Sequence, residues 1–481
     1  MAVVLALDLG TSFAKVLRFD EQGAPVGSLA HKPAGIGPAG RGDAEVAAAA
    51  AEAALDEALA SGPAPAAVAV SSAWHTLVGV DADGRTTTEM TTWADDRAGA
   101  EAAALRAAVR DAGDVHDRVG APIHPSFPSA RILWTARHQP EVFAATNRWC
   151  SLSELVASRW FGDRVGPSAS IASGTGLYDQ RSAAWDEEML TAIRLPAERL
   201  AQVDDEPRAG LGPLYRSRWP ALAEVPWFPA QGDGAAAVIG SGCAESGRAA
   251  LTVGTSAAVR LFCEPARRRA APLPPPLFGY LADATTPVVG AARSNAGAAV
   301  EWAAQMLGYS SGDPVGEAIA GRPPGTHGLD VDPSVITERS PDWPLYPSAR
   351  LDGLRRTTTK LDILQAFAEA VALGVADAID ALEAWAGPQL LVLGGGASAS
   401  AGWRQLLADA MGRPIACSAV SDESARGAAL AVFVRMGGTM PPVPAGEPVT
   451  EPDAARAAAF GEARQARAVR AGLPFGASLG P

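Results

Sequence analysis

Within QGDGAAAVIGSG, residues 231–242, one carboxylate, Asp233, stands between two glycines at the mouth of a run of small residues. An acid with no bulk around it can meet a small hydroxylated substrate and accept the proton of one of its hydroxyls. Three other glycine-rich turns occur in the chain: DLGTSFAK at 8–15, TVGTSAAVR at 252–260 and LGGGASAS at 393–400. Their backbone N–H groups and small hydroxyl side chains, such as Thr11, Ser12 and Thr255, can cradle phosphates because no large side chain blocks the approach. Asp8, just before the first turn, suits Mg²⁺, an ion that keeps part of its water shell. Lys15 is spaced to reach a phosphate oxygen. One base and three backbone-rich turns point to transfer of a phosphoryl group from a nucleotide to an alcohol.

Each motif alone has a plainer reading. A single Gly-Thr-Ser turn is an ordinary hairpin with an Asp at the strand end. Asp233 suits the N-cap of a helix over 234–239, a role compatible with catalysis. The triple glycine 394–396, with Gly395 and Gly396 open to an adenine or ribose, also makes a tight strand-to-helix turn. His75 follows a strand and can serve a sugar hydroxyl or a core. Trp93, Asp95 and Arg97 form either a sugar-facing cluster or a helix start with a local ion pair. His124 and Ser126 lie on a proline-rich loop.

These residues need two similar scaffolds. The opening reads as three strands around the Gly-Thr-Ser turn, then a helix over 44–59 and a buried strand, VAVSSA. The strand, Gly-Thr-Ser turn, strand unit returns at 249–262, so two related halves face each other. Residues 93–227 read as helix-rich and irregular, 265–276 as a loop, 361–385 as a long amphipathic helix, and QLLVLGGG as a buried strand entering a turn. At 481 residues, two domains or more are expected. The division falls near 226–229, giving 1–228, 229–440 and a tail at 441–481 with one peripheral helix.

Hydrophobic content of 48% with 19% charged residues fits a globular protein, not a disordered one. The net charge of −13 disfavours nucleic acid or anionic membrane as partner of the bulk surface. Cys150, Cys243, Cys263 and Cys417 lie far apart without a CxxC pair, which disfavours zinc and fits a reducing cytoplasm. The start MAVVLALDLG reads as a strand rather than a signal peptide, and no apolar run approaches the roughly 20 residues of a membrane span. A cytoplasmic protein is expected.

As an ordered set the motifs resemble the FGGY family of carbohydrate kinases over about 3–434. ALDLGTSFAKVLRFD is similar to the family's first phosphate loop, GDGAAAVIGSG to the segment with its catalytic aspartate, TVGTSAAVR to its second phosphate loop, and LVLGGGASASAGWRQLLADAMGRP to its adenosine signature; DESARGAALAV is also typical. The resemblance implies an α/β fold of two actin-like ATPase (ribonuclease H-like) domains with an interdomain cleft, and ATP and Mg²⁺ as cofactors. By position Asp233 is the base, and Asp8 with Asp233 serves the metal. Thr11, Ser12, Lys15, Gly254 and Thr255 contact phosphates. Gly297, Glu301, Gly395, Gly396 and Ser400 line the nucleotide, while Trp74, His75, Ser126, Asp233 and Gly234 contact the sugar.

The wording of AWHTLVGVDADGR, TTWADDRA, GAPIHPSFPSARILW and SIASGTGLYD is nearest to the gluconate kinase branch. Departures fall on the sugar side: Ser168 where an Asp is common, Gly232 where Ser is frequent, and Ser126, Phe127 and Arg131 in the proline-rich loop. The expected reaction is ATP-dependent phosphorylation of a sugar or sugar acid, gluconate first, with Arg97 and Arg131 as candidates to hold an acidic substrate. Rivals are a kinase for xylulose, ribulose, glycerol or a specialised-metabolism sugar, an actin-like nucleotide-dependent scaffold, and a degenerate sugar-binding regulator. A homodimer is left open.

Overall fold

The computed structural model describes residues 2–309, 314–319, 321–443 and 448–470. At the start of the chain, apolar runs broken by turn residues form three antiparallel strands, β1 (Val4–Leu9), β2 (Phe13–Phe19) and β3 (Ala30–Pro33). Helix α1 (Ala44–Leu59) is started by Asp43, whose carboxylate accepts the Glu45 N–H. It returns the chain to β4 (Ala67–Ser72), parallel to β1. Both strands are covered on both faces, which is why they read as near-continuous apolar runs. A two-residue strand, β5 (Gln231–Gly232), pairs with the outer side of β4, giving the order β5-β4-β1-β2-β3. Helix α2 (Asp233–Gly240) leaves directly from it. The expected division at 228/229 therefore falls inside the first sheet; a strand made of Gln and Gly carries no apolar pattern to announce it.

The second half repeats the scheme with β6 (Arg248–Val253), β7 (Ala257–Phe262), β8 (Phe278–Leu281), β9 (Pro287–Arg293), α3 (Gly297–Met306), α4 (Lys360–Ala386), β10 (Leu390–Gly394), α5 (Ala401–Met411), β11 (Ile415–Cys417), α6 (Glu423–Arg435), β12 (Val449–Thr450) and α7 (Ala454–Arg470). Its strand order is β8-β9-β7-β6-β10-β11-β12. Strand β6 is antiparallel to β7 and parallel to β10, as β1 is to β2 and β4. The two Gly-Thr-Ser turns thus close equivalent hairpins, and the expected repeat and fold class are both present. Helix α4 begins with a Thr359–Asp362 capping box and packs its apolar stripe on β7 and β9.

Two features join the halves. Helix α6, late in the sequence, packs against the first sheet: Ala425, Leu430 and Phe433 share a core with Val4, Ala6 and Ala69 of the sheet and Ala236 and Ile239 of α2. The α2 and α6 backbones touch. A Cβ on Gly240 would lie 1.8 Å from the Glu423 carbonyl oxygen, and one on Gly427 would lie 1.8 Å from that of Ala236. Second, the edge strand β8 is covered by the first half. Gly279 N–H donates to Gly120 O at 2.8 Å, Leu281 N–H to Ser173 Oγ at 2.9 Å, and Ser170 Oγ–H to Leu281 O at 2.7 Å.

The expected loop at 265–276 contains a short helix, Pro265–Ala270. Of its three arginines, Arg267 and Arg269 are exposed, whereas Arg268 pairs with Asp117 at 2.8 Å with both side chains largely buried. The tail is also more than a peripheral helix. Strand β12 extends the second sheet, Phe460 of α7 is buried, and Arg456 pairs with the buried Asp409 at 2.6 Å. Residues 444–447 of the PPVPAGEP run and 471–481 of the tail lie outside the described residues. No helix among the described residues is long and apolar enough to cross a membrane.

Candidate active site

Asp233 is the first residue of α2, not its cap. Gly232 holds the N-cap position, and the Asp233 Oδ1 accepts the N–H of Gly234 at 2.7 Å. Burial pushes its carboxyl above the ordinary carboxylate range, against the pull of Arg260, the Gly234 and Trp74 amides, and Arg339. A raised pKa brings a general base closer to its task near neutrality. The glycines beside it are required by Trp74. A Cβ on Gly232 would sit 2.0 Å from the indole, and one on Gly234 2.6 Å from it. The Ser that the resemblance leads one to expect at position 232 would collide with that ring.

Asp8, near the end of β1, faces Lys15 across the antiparallel ladder and Ser71 across the parallel one. Its Oδ1 is buried without a hydrogen-bond partner. Burial and the charges of Asp233 and Asp422 push its pKa up to about 6, against Ser71 and Lys15. An orphaned carboxylate oxygen coupled to a second carboxylate fits a hydrated Mg²⁺, which takes one or two carboxylates and fills its shell with water and phosphate. Among the described residues no group of three or more His, Cys, Asp or Glu forms a complete cage.

The raised Asp8 pKa has a stability consequence. A carboxyl at 3.8 when unfolded and about 6 when folded is costly to ionise in the fold. The cost is fully present above pH 6 and gone below about pH 4. Asp8→Asn should therefore stabilise the unliganded protein at pH 7 by up to about 3 kcal/mol, with the gain fading between pH 6 and pH 4. Urea titrations across that range check this; a gain that grows on acidification would overturn it.

The turn residues Thr11 and Ser12, and Thr255 with Gly254, stand in the turns that close the two equivalent hairpins, with Ser12 and Thr255 exposed. Gly254 is tied to α3, since its carbonyl accepts the Gly297 N–H at 2.9 Å and leaves no room for a Cβ on Gly297. Gly395, with a φ of 75° that favours glycine, packs against the Val253 carbonyl, so the adenosine-type turn abuts the second phosphate-type turn. Around Gly254 and Gly396 a Cβ would meet open space. Lys15 makes a 2.8 Å ion pair with Asp422, which sits in the left-handed region just before α6. Burial opposes the charge of Lys15, but Asp422 and Asp8 hold its pKa above the usual value. Glu423 lies against Gly394, linking Lys15 to the triple-glycine turn.

Two expected nucleotide residues have local roles. Glu301 is exposed on α3, where it accepts from Gln305 at 3.3 Å, and Ser400 caps α5 through the Trp403 N–H at 3.2 Å.

The expected sugar side gathers around Trp74. Its indole N–H donates to Ser170 O at 2.9 Å and its ring meets Tyr280 of β8 edge-on at 4.9 Å. His75 has a φ of 65°, unusual for a side chain of that size, and its ring is edge-on to Phe127 and Tyr280. Its Nδ1 bonds the Gly174 carbonyl at 2.6 Å; a carbonyl only accepts, so Nδ1 carries the proton and Nε2 is an acceptor. Burial, with Arg339, Arg131 and Arg260 nearby, pushes its pKa down to about 3, so the ring stays neutral.

Ser126 bonds its neighbour on the loop. Its N–H and Oγ both meet His124 Nδ1, at 3.2 and 3.1 Å, and His124 Nε2–H donates to Pro344 O. Ser168 caps the short helix Ala169–Ser173. The expected anion holders are committed as well. Arg97 is bidentate to the buried Asp95 at 2.8 and 2.7 Å and lies over Trp134, while Arg131 donates to Thr91 Oγ1 and to the His75 and Ser126 carbonyls.

Asp422, Tyr280, Arg260 and Arg339 were not singled out from the sequence, although Arg260 closes the TVGTSAAVR motif itself.

Comparison with known proteins follows the same outline. The sequence profile of the FGGY family of carbohydrate kinases, N-terminal domain, matches residues 3–240, and that of the C-terminal domain matches 249–436. A gluconokinase of Bacillus licheniformis is 26% identical over 365 residues, covering 72% of this chain and 69% of its own. A glycerol kinase of Koribacter versatilis is 27% identical over 461 residues, covering 90% of each. The crystal structure of gluconate kinase from Lactobacillus acidophilus superposes with a TM-score of 0.83 at 23% identity over 98% of both chains.

Proposed function

Because the chain belongs to the FGGY family of carbohydrate kinases, we propose that it transfers the γ-phosphoryl group of ATP to a hydroxyl of a small sugar or sugar acid, gluconate first, with Asp233 as the base. The chain is a phosphotransferase with an alcohol acceptor. The observation that carries the residue assignment is that Asp8 and Asp233, both half-buried, stand at the ends of the two strands that flank β4, where the charge of Asp233 helps raise the pKa of Asp8.

In this reading the sugar lies on Trp74, His75 and Gly234. Its attacking hydroxyl gives its proton to Asp233 as the oxygen–phosphorus bond forms and ADP leaves with the electrons of the broken bond. The amides and hydroxyls of the turns at 10–12 and 254–256 hold phosphate oxygens, and Lys15 exchanges Asp422 for phosphate. Gly297, Gly395 and Gly396 give the adenosine end close access to backbone. Bound Mg²⁺, held through Asp8 with Asp233 alongside, supplies charge neutralisation for the phosphates. Glu301 and Ser400 flank the nucleotide while keeping their bonds to Gln305 and Trp403, and Ser126 reaches the sugar side alongside His124.

Coupled ADP release against aldonates, pentoses, ketoses and polyols tests the reading. Turnover should appear with at least one acceptor and fall to background when Mg²⁺ is chelated. No ADP with any acceptor would sink the sugar assignment and favour a slow, acceptor-independent scaffold ATPase. A glycerol-type or other polyol kinase is the second reading, because the glycerol kinase match spans 90% of both chains.

A further inference from the structure

Arg260 leaves β7 four residues beyond Ser256, which puts it about 13 Å along the strand from the phosphate-type turn. Two glycines on separate elements clear its path. A Cβ on Gly290 of β9 would lie 3.1 Å from its Cγ, and one on Gly234 of α2 would lie 2.5 Å from its Nε. The side chain thus crosses from the second sheet to the start of the catalytic helix, beside Trp74. Its Nε is buried without a hydrogen-bond partner.

Two further buried guanidinium groups share this region. Arg339 lies 4.7 Å over the Trp93 ring and spends N–H groups on Ser294 Oγ and Arg293 O. Arg131 is committed to Thr91 and two carbonyls, although its Nε is also buried and unpartnered. Among the described residues three acids face these three cations, and Asp95, whose charge acts on Arg131, is already paired with Arg97. Glu338 is already taken by Arg293 at 3.2 Å, the Arg339 N–H at 2.8 Å and Asn295. Only Asp233 remains, and in the reaction it must accept a proton. A desolvated cation without a counter-charge is costly, so the site is short of one anion. The shortage lies on the aromatic wall of Trp74 and Tyr280, about 13 Å along β7 from the turn at 254–256.

We propose that the acceptor is a polyhydroxylated carboxylate and that Arg260, with Arg339 behind it, is the residue that reads its carboxylate. The inference rests on the kinase reading above and narrows its substrate class. A guanidinium forms charge-assisted, often bidentate bonds to a carboxylate, and an analogue without that group leaves the buried donors unpaired.

The test compares D-gluconate with D-glucitol, which carries CH₂OH in place of the carboxylate, using wild type, Arg260→Gln and Arg260→Lys. Wild type should favour gluconate by at least about 100-fold in kcat/KM, mostly through KM, and Arg260→Gln should collapse that ratio about 100-fold, with Arg260→Lys in between. Equal losses on both acceptors would make Arg260 a support for Asp233 and overturn the proposal, as would a wild type that prefers the alditol. Calorimetric titration of each full-length protein with the same two compounds separates this inference from the kinase reading. If no acceptor supports turnover, gluconate binding that Arg260→Gln abolishes still sustains it, and binding that ignores the substitution still overturns it.

Discussion

Asp233→Asn should bind ATP as the wild type does and turn over at least about 10²–10⁴-fold more slowly, the range a positioned general base contributes. The amide can keep the contact that the carboxylate makes with Gly234 N–H at 2.7 Å, so the start of α2 has no reason to move. It removes the one atom that takes the hydroxyl proton. It also relieves a buried charge, so the variant should melt no lower than wild type at pH 7. Rapid-quench measurement of one turnover, alongside calorimetric ATP binding, checks both halves. Undiminished turnover would remove Asp233 from its role.

Gly427→Ala should be among the most damaging single-atom additions available. Its new carbon would sit 1.8 Å from the Ala236 carbonyl oxygen, 2.6 Å from the carbonyl carbon and 2.8 Å from the Gly240 nitrogen. All three are backbone atoms and cannot swing aside like a side-chain tip. Overpacking a well-filled core typically costs about 1–3 kcal/mol, and a backbone collision belongs at or beyond the upper end. Because Asp233 starts the displaced helix, kcat measured well below the melting temperature should fall too, by up to about 100-fold for a misplacement near 1 Å. Gly461→Ala is the matched control. It lies in helix α7 with nothing within 4 Å of its new Cβ, so Ala's better helix propensity should leave the protein equal or slightly more stable. Equal melting of both variants would contradict the backbone contact between α2 and α6.

What the sequence disclosed follows from how far apart the determinants lie. The helix at 44–59 and the long one at 360–386 were legible because their signals, apolar period and capping residue, sit inside the segment itself. The two Gly-Thr-Ser turns were legible as a pair, and the structure sets them at equivalent places in two sheets. Strand β5 was not, since two residues without apolar alternation become a strand only by pairing with Ser71 and Ser72. Nor was Asp422, which meets Lys15 across 407 positions of chain. Arg260 lay in plain view within a motif, but an arginine in an alternating strand reads as its solvated side. Only Gly234 and Gly290, far away in sequence, turn it inward. Ser126 differs, since its hydroxyl meets His124, a partner only two residues away on the same loop.

The glycine-to-backbone crossing of α2 and α6 bears on how such a molecule can move without losing its aim. Asp233 lies one helical turn, about 5 Å, from Ala236, where the two rods touch. In any swing about that fulcrum, travel grows with radius. The proton acceptor, close to that fulcrum, would then barely shift, so opening for exchange and keeping the base in register need not compete.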